Sequence, residues 1–210
     1  MRRYAQRCPV ARALDVIGER WTPLIVRELM LGPRRYTDLL EALPGVGTNI
    51  LAGRLADLQA NGVVIKRALP PPTPVAVYEL TGAGEALAPV IAQLRAWGER
   101  HAPVAKAGDA VRPAWIIQTA ASRKQSLKPG RVCELKVDNE VFELAGSEGA
   151  VAVKARPAAN ADAAITIDPG VFYRLAGGRI TPARARTQID VAGDPAVAAD
   201  VIEMLAGSAP

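Results

Sequence analysis

The chain has 210 residues, half of them apolar, with 26 Lys/Arg against 21 Asp/Glu and one histidine. That is enough apolar material for one large or two small packed domains, and with no run of 18 apolar residues a membrane-spanning helix is excluded. Two cysteines, Cys8 and Cys133, make no disulfide scaffold, and His101 alone leaves most histidine-based triads and metal sites unbuildable.

The charge is uneven. Residues 1–67 hold 11 Lys/Arg and 6 Asp/Glu, whereas residues 106–210 hold 13 and 12. The basic excess of the first third suits a phosphate-binding face, and solvated surface arginine accounts for it as well. The opening MRRYAQR is basic but no apolar segment follows it, so no secretory signal is expected and a cytoplasmic location is. Cys8-Pro9 opens a helix near residues 9–18. Val10, Leu14 and Ile17 share one face of it, and proline suits a first turn. RWTPLIVRELMLG reads as a second helix, with Trp21, Leu24, Ile25, Leu29 and Met30 apolar and Gly32-Pro33 ending it. RYTDLLEALPG reads as a short third helix, capped by Thr37 and stopped by Pro44-Gly45.

The stretch from Gly47 to Arg67, GTNILAGRLADLQANGVVIKR, carries the main functional signal. Leu51, Leu55 and Leu58 form one helical stripe, Thr48 is available as a cap, and Asn61-Gly62 tolerates the left-handed conformation that ends a helix. Val63, Val64 and Ile65 favour a strand. The face opposite the leucines carries Asn49, Ala52, Gly53 and Ala56, with Arg54 on its flank. A face this small lets the helix axis approach another surface closely. A DNA major groove and another protein helix both fit. The prolines of PPPTP cannot lie inside a sheet, so VVIKRALPPPTPVAVYEL reads as strand, turn, strand. TGAGEALAPVIAQLRAWGERH then predicts one long helix with Leu87, Val90, Ile91, Leu94 and Trp97 on one side, the candidate dimerisation face, since they present more apolar surface than one winged helix needs. GAGEAL lacks the lysine and the spacing of a phosphate loop and reads as a helix start. Helices, a helix-turn-helix and a β-hairpin in this order describe a winged helix.

Five blocks carry a resemblance: CPVARALDVIGERWTPLIVREL, GPRRYTDLLEALPGV, LAGRLADLQANGVVIKR, VYELTGAGEAL and LRAWG. Residues 8–101 resemble the HxlR-type winged-helix transcriptional regulators of bacteria. The resemblance implies DNA binding by a homodimer whose N-terminal and last helices pair across the interface. It places Arg54 in the recognition helix. The family usually has polar residues where this chain has Ala52 and Gly53, so base reading rests on Thr48, Asn49 and Arg54. Arg35, Lys66 and Arg67 join them as candidate DNA contacts. Cys8 matches a cysteine that senses oxidants or electrophiles in some members; a helix N-terminus favours a thiolate, and Arg7 adjoins it.

Residues 102–112, APVAKAGDAVR, read as a linker, and the pattern changes beyond them. PAWIIQTAASRKQ suggests a leading helix. RVCELKVDNEVFEL alternates, with Cys133, Leu135 and Val137 facing one way, a turn at Asp138-Asn139, and Phe142 and Leu144 on a second strand. AVAVKA and AAITID are further strands. DPGVFYRLAGG is a helix capped by Asp168, TQIDVAGD a last strand, and DPAVAADVIEML a last helix capped by Asp194. DAAITIDPGVFYRLAGGRITPARA followed by IDVAGDPAVAADVIEML resembles the sterol-carrier-protein type of domain. That resemblance implies a five-stranded sheet with helices on one side and an apolar tunnel, with Phe142, Ile165, Phe172 and Leu175 as candidate pocket residues.

The expected protein is α+β. A winged helix-turn-helix DNA-binding domain spans 1–103, a linker 104–111, and a sterol-carrier-like ligand-binding domain 112–210. The expected function is a homodimeric regulator that binds a palindromic duplex, with a small apolar effector in its C-terminal domain. The competing expectation is a carrier of lipid or another hydrophobic ligand whose winged helix binds a protein. No enzymatic activity, metal, cofactor or membrane association is expected.

Overall fold

The computed structural model describes residues 3–68, 75–106, 108–123 and 127–208. The chain packs as two compact units, Met1–Leu94 and Arg95–Pro210.

In the first unit, α1 (Pro9–Ile17), α2 (Thr22–Leu29) and α3 (Tyr36–Ala42) precede α4 (Thr48–Ala60). Proline occupies the first turn of α1 and of α2, where its missing N–H leaves no hydrogen bond unmade. β2 (Val64–Ala68) and β3 (Ala76–Leu80) pair antiparallel as the wing. A two-residue strand that periodicity does not announce, β1 (Arg34–Arg35), adds to β3, giving the order β1-β3-β2. The hairpin tip expected at Pro70–Pro74 lies outside the described residues. Leu51, Leu55 and Leu58 of α4 are buried among Ile25, Val26, Leu29, Leu39, Leu43, Val63, Val64, Leu80 and Ile91. Removing one of those leucines to alanine costs about 2–5 kcal/mol.

Three local expectations are corrected. Arg35, not Thr37, is the N-cap of α3, and the Asp38 carboxylate accepts its backbone N–H at 3.0 Å. Gly47, not Thr48, is the N-cap of α4, and no side chain caps that end. The single long helix expected after the wing is two, α5 (Gly82–Glu85) and α6 (Ala88–His101). Pro89 has no N–H for the carbonyl of Glu85 and its ring crowds that turn, which breaks the helix there. Gly84 lets α5 sit against the wing root, since a Cβ there would lie 2.3 Å from the Val63 carbonyl oxygen.

The second unit is built on a five-stranded sheet of order β6-β5-β4-β7-β8. Its strands are β4 (Val132–Val137), β5 (Glu140–Ser147), β6 (Ala150–Lys154), β7 (Ala163–Ile167) and β8 (Asp190–Gly193). β4 and β7 run parallel and the other pairs antiparallel. Alternation puts Cys133, Leu135, Val137, Phe142, Leu144, Ile165 and Ile167 on one face, where all are buried. The helices of this unit are α7 (Pro113–Arg123), α8 (Pro169–Ala176), α9 (Pro182–Arg186) and α10 (Pro195–Leu205). α7 packs on β6, and α10 on β4 and β7. Asp168 and Asp194 cap α8 and α10 as the sequence indicates. Arg131 ties the sheet's start to two loops, pairing with Asp162 at 2.8 Å and with Asp194. α9, five residues long, was not expected, because PARAR is too short to show a period.

Candidate nucleic-acid interface

α3 and α4 form the helix-turn-helix. The Tyr36 hydroxyl donates to the carbonyl of Thr48 at 2.7 Å, tying the first turn of α3 to that of α4. The far end of α4 closes at Asn61, with Gly62 at φ +70°. The Thr81 hydroxyl donates to the Gly62 carbonyl at 2.6 Å, fixing the helix end to the strand that returns from the wing. α4 is thus held at both ends while its leucine face is buried.

Its outward face is small and nearly uncharged. Thr48, Asn49, Ile50, Ala52, Gly53 and Ala56 are all exposed, and a Cβ added at Gly53 would meet nothing within 4 Å. Because no side chain caps α4, the N–H groups of its first turn stay available to an anion. Ile50, which the sequence pattern does not single out, is 48% exposed. The available signal was its position next to Leu51, outside the leucine stripe. An apolar side chain on this face suits a thymine methyl group.

The expected contact residues are not equivalent. Thr48 and Asn49 are exposed at the N-terminal turn, and Arg35 is exposed at the start of α3. Arg54 instead turns back on the protein, with Nη1 3.2 Å from Asp57 and 3.5 Å from Glu19. That nitrogen makes no aligned hydrogen bond, so the contact is an ion pair only. On the wing, Arg67 pairs with Glu79 at 2.6 Å, and the Lys66 ammonium lies 5.6 Å from the Tyr78 ring centroid. The register aligns Arg34, Tyr78 and Lys66 across the three strands.

Elsewhere on the first helices, Cys8 is exposed and is the N-cap of α1. Val10 and Leu14 of the same helix are exposed. Along α6, Ile91 is buried in the first unit's core and Leu87 packs against it. Val90, Leu94 and Trp97, one helical stripe, remain exposed, Trp97 by 59%. In the second unit Phe142, Ile165, Phe172 and Leu175 are all fully buried. Cys133 is buried too. Burial first, then the charges of Glu134 and Asp162, push its thiol from the ordinary 9.0 up to about 12. Among the described residues no group of His, Cys, Asp and Glu is placed to hold a metal ion, and no helix is long and apolar enough to cross a membrane.

The HxlR-like helix-turn-helix family model matches residues 16–106. The uncharacterized HTH-type transcriptional regulator YvaP of Bacillus subtilis is 39% identical over 95 residues, which are 44% of this chain and 87% of that protein. The chain belongs to the HxlR-like helix-turn-helix family. A second relative, the HTH-type transcriptional regulator YodB of Bacillus subtilis, is 35% identical over 94 residues, 44% of this chain and 84% of that one. The reduced form of YodB, a solved structure, covers 48% of this chain and 100% of its own at 32% identity, with a TM-score of 0.42.

Proposed function

We propose that this HxlR-like protein is a DNA-binding transcriptional regulator that grips a palindromic operator as a homodimer. The observation that carries this reading is the outward face of α4. Its leucine side is buried, its ends are fixed, and its exposed side is small enough for the helix to enter a major groove. Thr48, Asn49 and Ile50 are the base-edge contacts. Arg35, Lys66 and Arg67 are the phosphate contacts. Arg54 exchanges its pairing with Asp57 and Glu19 for DNA. A partly exposed ion pair of this kind is worth about 0–1 kcal/mol, less than the roughly 1–3 kcal/mol of a bidentate base contact.

The homodimer is supported by the apolar stripes that the fold leaves uncovered, Val10 and Leu14 on α1 and Val90, Leu94 and Trp97 on α6. A two-fold axis lets each stripe meet its copy. Cys8, exposed at a helix start, is the candidate oxidant-sensing residue. Residues 112–210, within the second unit, are a sterol-carrier-like module. Phe142, Ile165, Phe172 and Leu175, all buried apolar side chains there, are the candidate lining for a small hydrophobic effector. Such an effector changes operator affinity only by binding the DNA-competent state differently from the other state. The test is a titration of the full chain against a duplex selected from a random-sequence pool. Selection of a palindrome, with affinity that falls steeply as salt rises, supports the proposal. Recovery of no preferred duplex, with no salt-dependent binding, refutes it.

A further inference from the structure

The second unit is close to neutral overall, but its charge is segregated. Pro169 to Ile189 holds four arginines, Arg174, Arg179, Arg184 and Arg186, and no acid. The remaining residues of 106–210 hold nine Lys/Arg against twelve Asp/Glu. All four arginines are exposed. The fold draws them together. Gly178, at φ +67°, reverses the chain after α8, so that the Arg179 N–H donates to the Arg174 carbonyl at 2.8 Å. Gln188 then bridges the two helices, accepting from Arg174 Nη2 at 3.1 Å and donating to the Arg184 carbonyl at 3.1 Å.

Cations at helix C-termini are often explained by the helix dipole. Here backbone N–H groups already fill the last carbonyls of α8: Gly177 donates to Tyr173, Gly178 to Leu175 and Arg179 to Arg174. Acid pairing does not explain the cluster either. Arg186 reaches Glu203 only at 3.7 Å, with both side chains about half exposed. Among the described residues, the guanidiniums of Arg179 and Arg184 have no acidic partner. Four like charges on one short segment repel each other unless an anion joins them. All four are arginine, whose planar fork suits phosphate oxygens in pairs. A membrane-surface site pairs such charge with exposed aliphatic or aromatic anchors, and no large apolar side chain between Pro169 and Ile189 is exposed.

We infer that Arg174, Arg179, Arg184 and Arg186 form a second phosphate-binding surface that contacts a DNA backbone without reading its sequence. The inference rests on the DNA-binding function proposed above. The full-length wild type and an Arg179→Ala/Arg184→Ala variant are titrated with the selected duplex and a scrambled one over a range of salt. Both positions are exposed, so the variant folds. Losing two phosphate contacts makes the salt slope of log K shallower by about 1.8. Wild-type affinity then falls about twelve-fold more than the variant's between about 50 and about 200 mM salt, for both duplexes alike. Asn49→Ala, as control, lowers the preference for the selected duplex and leaves the slope unchanged. A double variant with wild-type slope and affinity, while the wild type binds the duplex, overturns the second surface and leaves the DNA-reading helix standing. A wild type that binds no duplex overturns both. Unchanged duplex binding with lost binding to phosphatidylglycerol vesicles assigns the cluster to a lipid surface and overturns the inference.

Discussion

Gly53 is the position at which stability and function separate most cleanly. It sits on the exposed side of α4 with helical backbone geometry, and an added Cβ would meet nothing within 4 Å. Gly53→Ala therefore introduces neither clash nor strain in the free protein. It gains the helix preference of alanine over glycine, about 0.8–1 kcal/mol, much of which reflects lost freedom in the unfolded chain. For a unit of this size that raises Tm by roughly 4–8 °C. The effect on DNA has the opposite sign. The new methyl group stands on the ridge of Asn49, Gly53 and Ala56. A helix seated in a groove along that ridge must shift outward or deform its contact, at about 1–3 kcal/mol by analogy with overpacked cores. Thermal unfolding followed by circular dichroism reads the first effect, and fluorescence anisotropy with a labelled duplex reads the second. The expected pair is a higher Tm with at least several-fold weaker operator binding. A higher Tm with unchanged operator affinity would place this ridge away from the DNA.

Trp97→Asp puts a charge into the exposed α6 stripe and should convert the protein to monomers with much weaker operator binding; a wild type that sediments as a monomer at micromolar concentration removes the dimer. Iodoacetamide at pH 8 should modify Cys8 and spare Cys133, read by mass spectrometry. If Cys8 is a sensor, diamide alters operator affinity in the wild type and not in Cys8→Ser. The raised thiol of Cys133 also sets a pH limit: its stabilising effect is complete below 9.0 and lost as pH climbs toward about 12, because the unfolded chain ionises first. Urea unfolding at rising pH should show that loss, and Cys133→Ala should blunt it. Phe172→Ala, at a fully buried site, should cost about 3–5 kcal/mol and change uptake of a fluorescent fatty acid, whereas a protein that takes up no apolar probe has a C-terminal unit without an effector site.

Much of the fold is written at short range. The leucine stripe of α4, the alternation of β4 and β5, and the aspartates that cap α8 and α10 are local patterns with one dominant structural solution. The misses have equally specific causes. β1 has two residues and α9 has five, too few for any period to emerge. The break between α5 and α6 turned on Pro89, which an apolar run on both sides disguised. Thr48 has the side chain of a cap, yet the backbone of Gly47, with no side chain at all, takes that position. At the candidate interface, sequence marks which residues lie on α4 but not where their side chains turn. Asp57 lies three residues from Arg54 along the helix, whereas Glu19 reaches it only through the tertiary fold. Ile50 lies outside the leucine stripe, but an isolated apolar residue on a polar face is common, and only its exposure marks it as a contact candidate.

The most direct test of α4 as the reading element is the ratio of affinities for the selected duplex and a scrambled one of equal length, measured at one salt concentration for the wild type and for Thr48→Ala/Asn49→Ala. Both side chains are exposed and make no contact that the fold depends on, so the variant keeps its stability. A sharp drop in the ratio, with affinity for the scrambled duplex unchanged, is the predicted result. A ratio equal to that of the wild type would contradict it and move sequence recognition to another part of the protein.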